Sequence, residues 1–137
     1  MELKDIVAIN GKPGLYELKA QSKGGFIVES LLDRKKFPVT ATHNISALNE
    51  IAIYTYEDDM PLRLIFKAMG EKEGGKETIS HKESGKVLIQ YFREVVPNFD
   101  DERVYTSNIK KVVQWYNILA SNKFDFSSIK EEEEEND

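Results

Sequence analysis

The run 16-YELKAQSKGGFIV-28 decides the first half of this chain. Tyr16, Leu18 and Ala20 alternate with Glu17, Lys19 and Gln21, the period of two that sends alternate side chains to one face of a strand. Ser22-Lys23-Gly24-Gly25 reads as a hairpin loop. Phe26-Ile27-Val28 is aromatic and β-branched, and the strand it opens runs to Leu31. Upstream, Asn10-Gly11 and Pro13-Gly14 are adjacent turn signals that follow a short, mostly apolar segment, Glu2 to Ile9. Downstream, Asp33 to Lys36 makes a polar loop, Pro38 to Thr42 a third strand and Ile51 to Tyr56 a fourth. Several short strands parted by tight turns within about fifty residues predict a small, strongly bent barrel, with SH3-like the best match in size and a two-layer α+β sheet the alternative.

The periodicity switches after Asp59. Leu62, Ile65, Phe66 and Met69 fall at i, i+3, i+4 and i+7, with Pro61 suited to the first turn, Asp58 and Asp59 at the positive end and Gly70 as the stop. Residues 70–77 read as a polar, glycine-rich, mobile linker. Ser80-His81-Lys82-Glu83 has the spacing of a capping box and predicts a second helix with Val87, Leu88, Tyr91, Phe92 and Val95 on one face, stopped by Pro97. Gly85 weakens its first turns by about 1 kcal/mol relative to alanine. Thr106 or Ser107 caps a third helix whose core face is Ile109, Val112, Val113, Tyr116 and Leu119. Phe124, Phe126 and Ile129 can tuck back onto it. The expected organisation is α+β: an SH3-like barrel over 1–59, three helices over 60–129 packed on it, and a disordered acidic tail over 130–137.

Composition narrows the chemistry. With 137 residues and 15.7 kDa, the chain makes one domain or two small modules, long enough to fold without metal or disulfide. It has no cysteine, which removes thiolate zinc sites, iron–sulfur ligation and a cysteine nucleophile. It has two histidines, too few for a three-histidine site. No apolar run approaches the ~20 residues of a membrane helix, and the N-terminus does not read as a signal peptide, so a cytoplasmic protein with no membrane partner is expected. The net charge of −5 belongs to the tail, since Glu131 to Glu135 and Asp137 account for six of the 24 acids and residues 1–130 are net +1.

Two stretches carry a resemblance. They are Leu3-Lys4-Asp5-Ile6-Val7-Ala8-Ile9 with Gly11-Lys12-Pro13-Gly14-Leu15-Tyr16, and Pro97, Asp100, Arg103-Val104-Tyr105, Ser107, Ile109-Lys110-Lys111-Val112 with Trp115-Tyr116-Asn117-Ile118-Leu119. Over residues 1 to about 120 the chain resembles a family of small uncharacterised Bacteroidetes proteins. The resemblance implies an N-terminal domain of unknown function followed by a helical C-terminal one, and it implies no activity and no catalytic residues. Members often carry Asp where this chain has Asn108.

Catalytic constellations are missing from the sequence. Gly70-(x4)-Gly75-Lys76 starts like a phosphate-binding loop, but Glu77 stands where Ser or Thr would hold Mg²⁺, and the run follows a helix rather than a strand. His43 and His81 stand apart from any supporting partner, and there is no Gly-x-Ser-x-Gly elbow. Glu57-Asp58-Asp59 could attract a hard cation, yet placement at a helix N-terminus accounts for the run more simply. No catalytic residue, cofactor or metal is therefore expected.

Aromatic residues are more informative. Tyr54 and Tyr56 share one strand face while Ile51, Ile53 and Thr55 share the other. The helices cover the tyrosines in the plainer reading; exposed, they make a ligand platform of the kind Tudor-type barrels use for methylated cations. On the third helix Lys111 and Trp115 are i, i+4 neighbours with Ile118 beside them, so apolar residues extend beyond one stripe and the helix is expected to be buried on two sides. The function expected is a non-enzymatic binding or adaptor module that recognises a protein partner through Tyr54, Tyr56, Lys111, Trp115 and Ile118. The alternative is nucleic-acid binding through the barrel with Lys110 and Lys111 on phosphates and Trp115 stacked on a base.

Overall fold

The structure, a computed structural model, describes residues 1–40 and 44–130. His43 and the acidic tail beyond Lys130 lie outside the described residues. The chain divides into two compact units, Met1–Ile51 and Ala52–Asp137.

The first unit is a five-stranded antiparallel sheet built from β1 (Ile6–Ile9), β2 (Tyr16–Ser22), β3 (Gly25–Ser30), β4 (Lys36–Thr40) and β5 (Ile45–Ala47), in the order β4-β3-β2-β1-β5. The β2–β3 hairpin forms where the alternation and the glycines place it, with Ser22 opposite Gly25 and a register shift between Leu18 and Ala20. Registers such as Val7↔Tyr16, Leu18↔Val28 and Phe26↔Val39 gather the apolar side chains on one face. Val7, Ile9, Tyr16, Val28 and Val39 are buried there, with Leu18, Phe26, Phe37, Ile45 and Ala47 around them. Tyr16 donates its hydroxyl to the Pro13 carbonyl at 2.9 Å and meets Phe37 edge-on, which ties the turn to the sheet.

The expected SH3-like barrel is not what forms. The sheet is open among the described residues, with β4 and β5 as its edges. The short apolar segment before the turns supplies a strand, β1, that sits between β2 and β5. The predicted fourth strand, Ile51 to Tyr56, does not join the sheet. Its core, β6 (Ala52–Ile53), pairs instead with β7 (Met60–Pro61) in the second unit. β4 begins two residues ahead of the expected start, and Pro38 sits on an edge strand, where the missing amide costs no ladder bond.

The second unit holds α1 (Leu62–Glu73), α2 (Gly85–Val95) and α3 (Thr106–Ser121). The predicted core faces of α1 (Leu62, Ile65, Phe66 and Met69) and α3 (Ile109, Val112, Val113, Tyr116 and Leu119) are buried; on α2 Leu88, Tyr91 and Phe92 are buried, but Val87, expected on the same face, is exposed and Val95 half-buried, at the two ends of the helix. Phe124, Phe126 and Ile129 are buried too, with Phe126 stacked on Tyr116 at 4.7 Å and Lys67 Nζ donating to the Ile129 carbonyl at 2.9 Å.

Three helix boundaries differ from expectation. Gly70 does not end α1; the helix continues to Gly74, whose φ of 66° is the left-handed turn that glycine accepts without strain. Ser80 does not cap α2. Ser84 does, accepting from the Val87 amide at 3.3 Å, while the 80–83 stretch closes a turn of its own through Glu83 N–H to Ser80 C=O. α3 starts from Tyr105, whose amide donates to Asn108 Oδ1 at 2.8 Å.

The segment expected to be a mobile linker is tied down. Asn117 accepts from the Thr78 amide and donates to the Ile79 carbonyl, each at 2.8 Å, and the Tyr116 hydroxyl donates to the Lys76 carbonyl at 2.7 Å. Glu73 accepts from Thr78 Oγ1 at 2.6 Å and from the Tyr91 hydroxyl at 3.1 Å.

Candidate functional site: a tyrosine face framed by arginines and carboxylates

Residues 54–56 and 98–100 run antiparallel as a minimal ladder. Tyr56 N–H donates to Asn98 C=O and Asp100 N–H donates to Tyr54 C=O, both at 3.0 Å, with Thr55 opposite Phe99. Alternation along these segments then decides what is buried. Ile53, Thr55 and Phe99 turn inward and are buried, while Tyr54 and Tyr56 turn outward, 46% and 59% exposed. The inward threonine is satisfied locally: its hydroxyl donates to the Asp58 carbonyl at 2.5 Å and accepts from the Glu57 amide at 3.1 Å. The tyrosines are therefore not covered by the helices, contrary to the plainer expectation.

Both exposed rings are held in place. Arg103 lies over the Tyr54 ring, 4.4 Å from its centroid, with Nε donating to Asp100 Oδ2 at 2.7 Å and a terminal nitrogen donating to the Thr55 carbonyl at 3.2 Å. The Tyr56 hydroxyl donates to Asp101 Oδ1, whose other oxygen faces Arg93 at 3.5 Å. Arg93 in turn lies 4.6 Å over the Phe99 ring. Asp100 also accepts from the Glu102 amide at 3.0 Å.

The Arg103 hydrogen bond holds the Asp100 carboxyl below its ordinary value, and the Asp100 bond raises Arg103 in return. The hydrogen bond to Asp101 raises the Tyr56 phenol. Asp100 thus stays charged and Tyr56 stays protonated around neutral pH, so the face presents fixed charges and fixed donors.

The other sequence-selected residues lie on α3. Lys110 and Lys111 are exposed, Trp115 is half-buried, and Ile118 is buried with 7% exposure, leaving it little surface to offer a partner. Ile109 and Ile118, on opposite sides of the helix, are both buried, as the wide apolar arc predicted. Among the described residues no hydrogen bond, ion pair or ring contact joins Lys110, Lys111 or Trp115 to Tyr54 or Tyr56. His81 lies in the turn ahead of α2, and burial together with Lys82 and Lys110 lowers its pKa. Among the described residues no three His, Asp or Glu side chains are gathered as metal ligands, and no helix is long and apolar enough to cross a membrane.

Sequence reasoning missed Arg103, Asp100, Asp101 and Arg93, which hold the rings, and Tyr105, which is 66% exposed beside them in sequence. The available signal was the i, i+3 pair Asp100–Arg103 in the charged stretch that follows Pro97. Its target ring, more than forty residues upstream, was not legible.

Comparison with known proteins divides the chain at the same place. Residues 3–48 match a family described as domain of unknown function DUF5606, and residues 51–119 one described as domain of unknown function DUF6852. A solution NMR structure from Bacteroides vulgatus is similar over 98% of this chain and 100% of its own, at 37% identity and a TM-score of 0.74. No curated protein matches.

Proposed function

Because the chain belongs to the DUF6852 family, and the matched residues 51–119 contain the whole tyrosine face, we propose that it is a non-enzymatic binding module that recognises a protein partner. Tyr54 and Tyr56 are its anchors, with Lys111 and Trp115 on α3 as a further contact. The observation that carries this reading is that two tyrosines are exposed yet immobilised, one under Arg103 and one on Asp101. A large amphipathic ring fixed before binding loses little conformational entropy on contact, and Tyr and Arg are enriched among interface residues that dominate affinity. Nucleic-acid binding is the second reading. It rests on Lys110 and Lys111, two exposed lysines, with no arginine stripe to extend them.

The test is capture of partners from host lysate by the tagged full chain, with and without nuclease, for wild type, Tyr54→Ala, Tyr56→Ala and Trp115→Leu. A nuclease-resistant protein whose capture falls about 30-fold in the tyrosine variants, the effect of losing a hot-spot residue, is the expected result. Capture indifferent to both tyrosines overturns the assignment of the face. Partners that vanish with nuclease put the nucleic-acid reading first.

A further inference from the structure

The charges around the tyrosines select the kind of partner. Glu57, Asp58, Asp59, Asp101 and Glu102 are exposed, and Asp100 is buried and bonded to Arg103. Asp101 and Asp100 are paired with Arg93 and Arg103, while residues 1–130 as a whole are net +1. The face is therefore locally acidic on a body that is not. Phosphate would be repelled here, and a cation attracted.

The two arginines also show the mode of attraction. Arg103 is held between the Tyr54 ring and the Asp100 carboxylate, and Arg93 between the Phe99 ring and Asp101. Each is a guanidinium on an aromatic face with a carboxylate at its edge, the arrangement in which cation–π attraction and a charge-assisted hydrogen bond reinforce each other. Tyr56 has the same two components, an exposed ring and the Asp101 carboxylate at its hydroxyl. Among the described residues no cation of this chain lies over that ring.

We propose that the Tyr56 ring, with Asp101 and the Glu57–Asp59 run, docks an arginine- or lysine-bearing segment of the partner protein. This rests on the binding-module reading and names its partner chemistry. One face of Tyr54 is already taken by Arg103, and the ring acts as the wall beside the incoming cation, so the partner is an extended basic peptide rather than a methylated cation in a closed cage.

The test is NMR titration of the ¹⁵N-labelled full chain with two synthetic peptides, one alternating arginine with glycine and one alternating glutamate with glycine. The expected result is that the arginine peptide shifts the amides of residues 54–59 and 98–103 and the glutamate peptide does not. Affinity should fall about tenfold in Tyr56→Ala, fall less in Tyr56→Phe, which keeps the ring but loses its hold on Asp101, and weaken with added salt. Shifts confined to residues 131–137, or equal shifts with the glutamate peptide, overturn the proposal. If the arginine peptide leaves residues 54–59 unmoved while lysate capture still depends on Tyr56, the cationic partner falls and the binding module stands. If capture is also independent of the tyrosines, both fall.

Discussion

At Gly70 a residue read as a helix stop turns out to be a packing notch. It is buried inside α1, and a Cβ placed there would meet the Phe126 Cβ at 2.4 Å and its ring at 2.8 Å. Helix propensity alone favours alanine at an interior position by about 1 kcal/mol. Here the clash decides, because Phe126 is itself fixed between Tyr116 and Phe124. Gly70→Ala should therefore destabilise the protein by about 1–3 kcal/mol, the usual cost of overpacking, measured as a lower urea midpoint at unchanged slope. An unchanged or higher midpoint would mean that Phe126 can swing away. The notch was not legible because its partner lies more than fifty residues downstream, whereas the shared face of Tyr54 and Tyr56, opposite Ile53 and Thr55, was, since it needs only alternation; that this face stays uncovered was not. What holds the tyrosines, Arg103 and Asp101, lay beyond local reading for the same reason as Phe126.

Helix termini are decided over three or four residues, and two similar signals competed ahead of α2. Ser80 with Glu83 has the better sequence signature, but Ser84 makes the cap. The backbone of 78–79 is clamped by Asn117 on α3, so the chain reaches the helix start only after a further turn. Gly85 then falls at the first helical position, where the cost of a glycine in a helix interior does not apply. Ser84→Ala should cost about 1 kcal/mol, and Ser80→Ala, which loses only an exposed contact to the Lys82 amide, less than about 0.5 kcal/mol. Thermal unfolding of the two variants separates the caps; a larger effect at Ser80 would restore the capping box. The existence of all three helices was readable from 3.6-residue periodicity, as were the buried faces of α1 and α3 and the centre of that of α2, where Val87 is exposed instead. Their ends depended on contacts from elsewhere in the unit.

Across the helical unit, Glu73, Thr78, Tyr91, Tyr116 and Asn117 form one polar cluster that turns a glycine-rich stretch into an ordered connection. Burial, reinforced by Glu73, pushes the Tyr116 phenol up to about 12 and Tyr91 further. Both folded values lie above that of a free phenol. Their contribution to stability is thus complete below about pH 10 and lost as the pH climbs through the folded values, because the unfolded chain ionises first. Stability should be flat from neutrality to about pH 10 and fall above it, with ultraviolet absorbance showing two phenols ionising only as the helices melt; Tyr116→Phe should flatten part of that fall. Two phenols ionising near pH 10 with the helices intact would contradict the burial. The sequence by itself determined the α+β class, the β2–β3 hairpin, the three amphipathic helices and the shared face of Tyr54 and Tyr56, since each follows from a periodicity carried by neighbouring residues. Tertiary structure alone decided that the sheet stays open, that residues 52–56 pair within the helical unit, and that arginines and carboxylates frame the tyrosines. Strand pairing and side-chain partners bring together residues far apart in the chain, and a local pattern specifies which face a residue takes but not what it meets there.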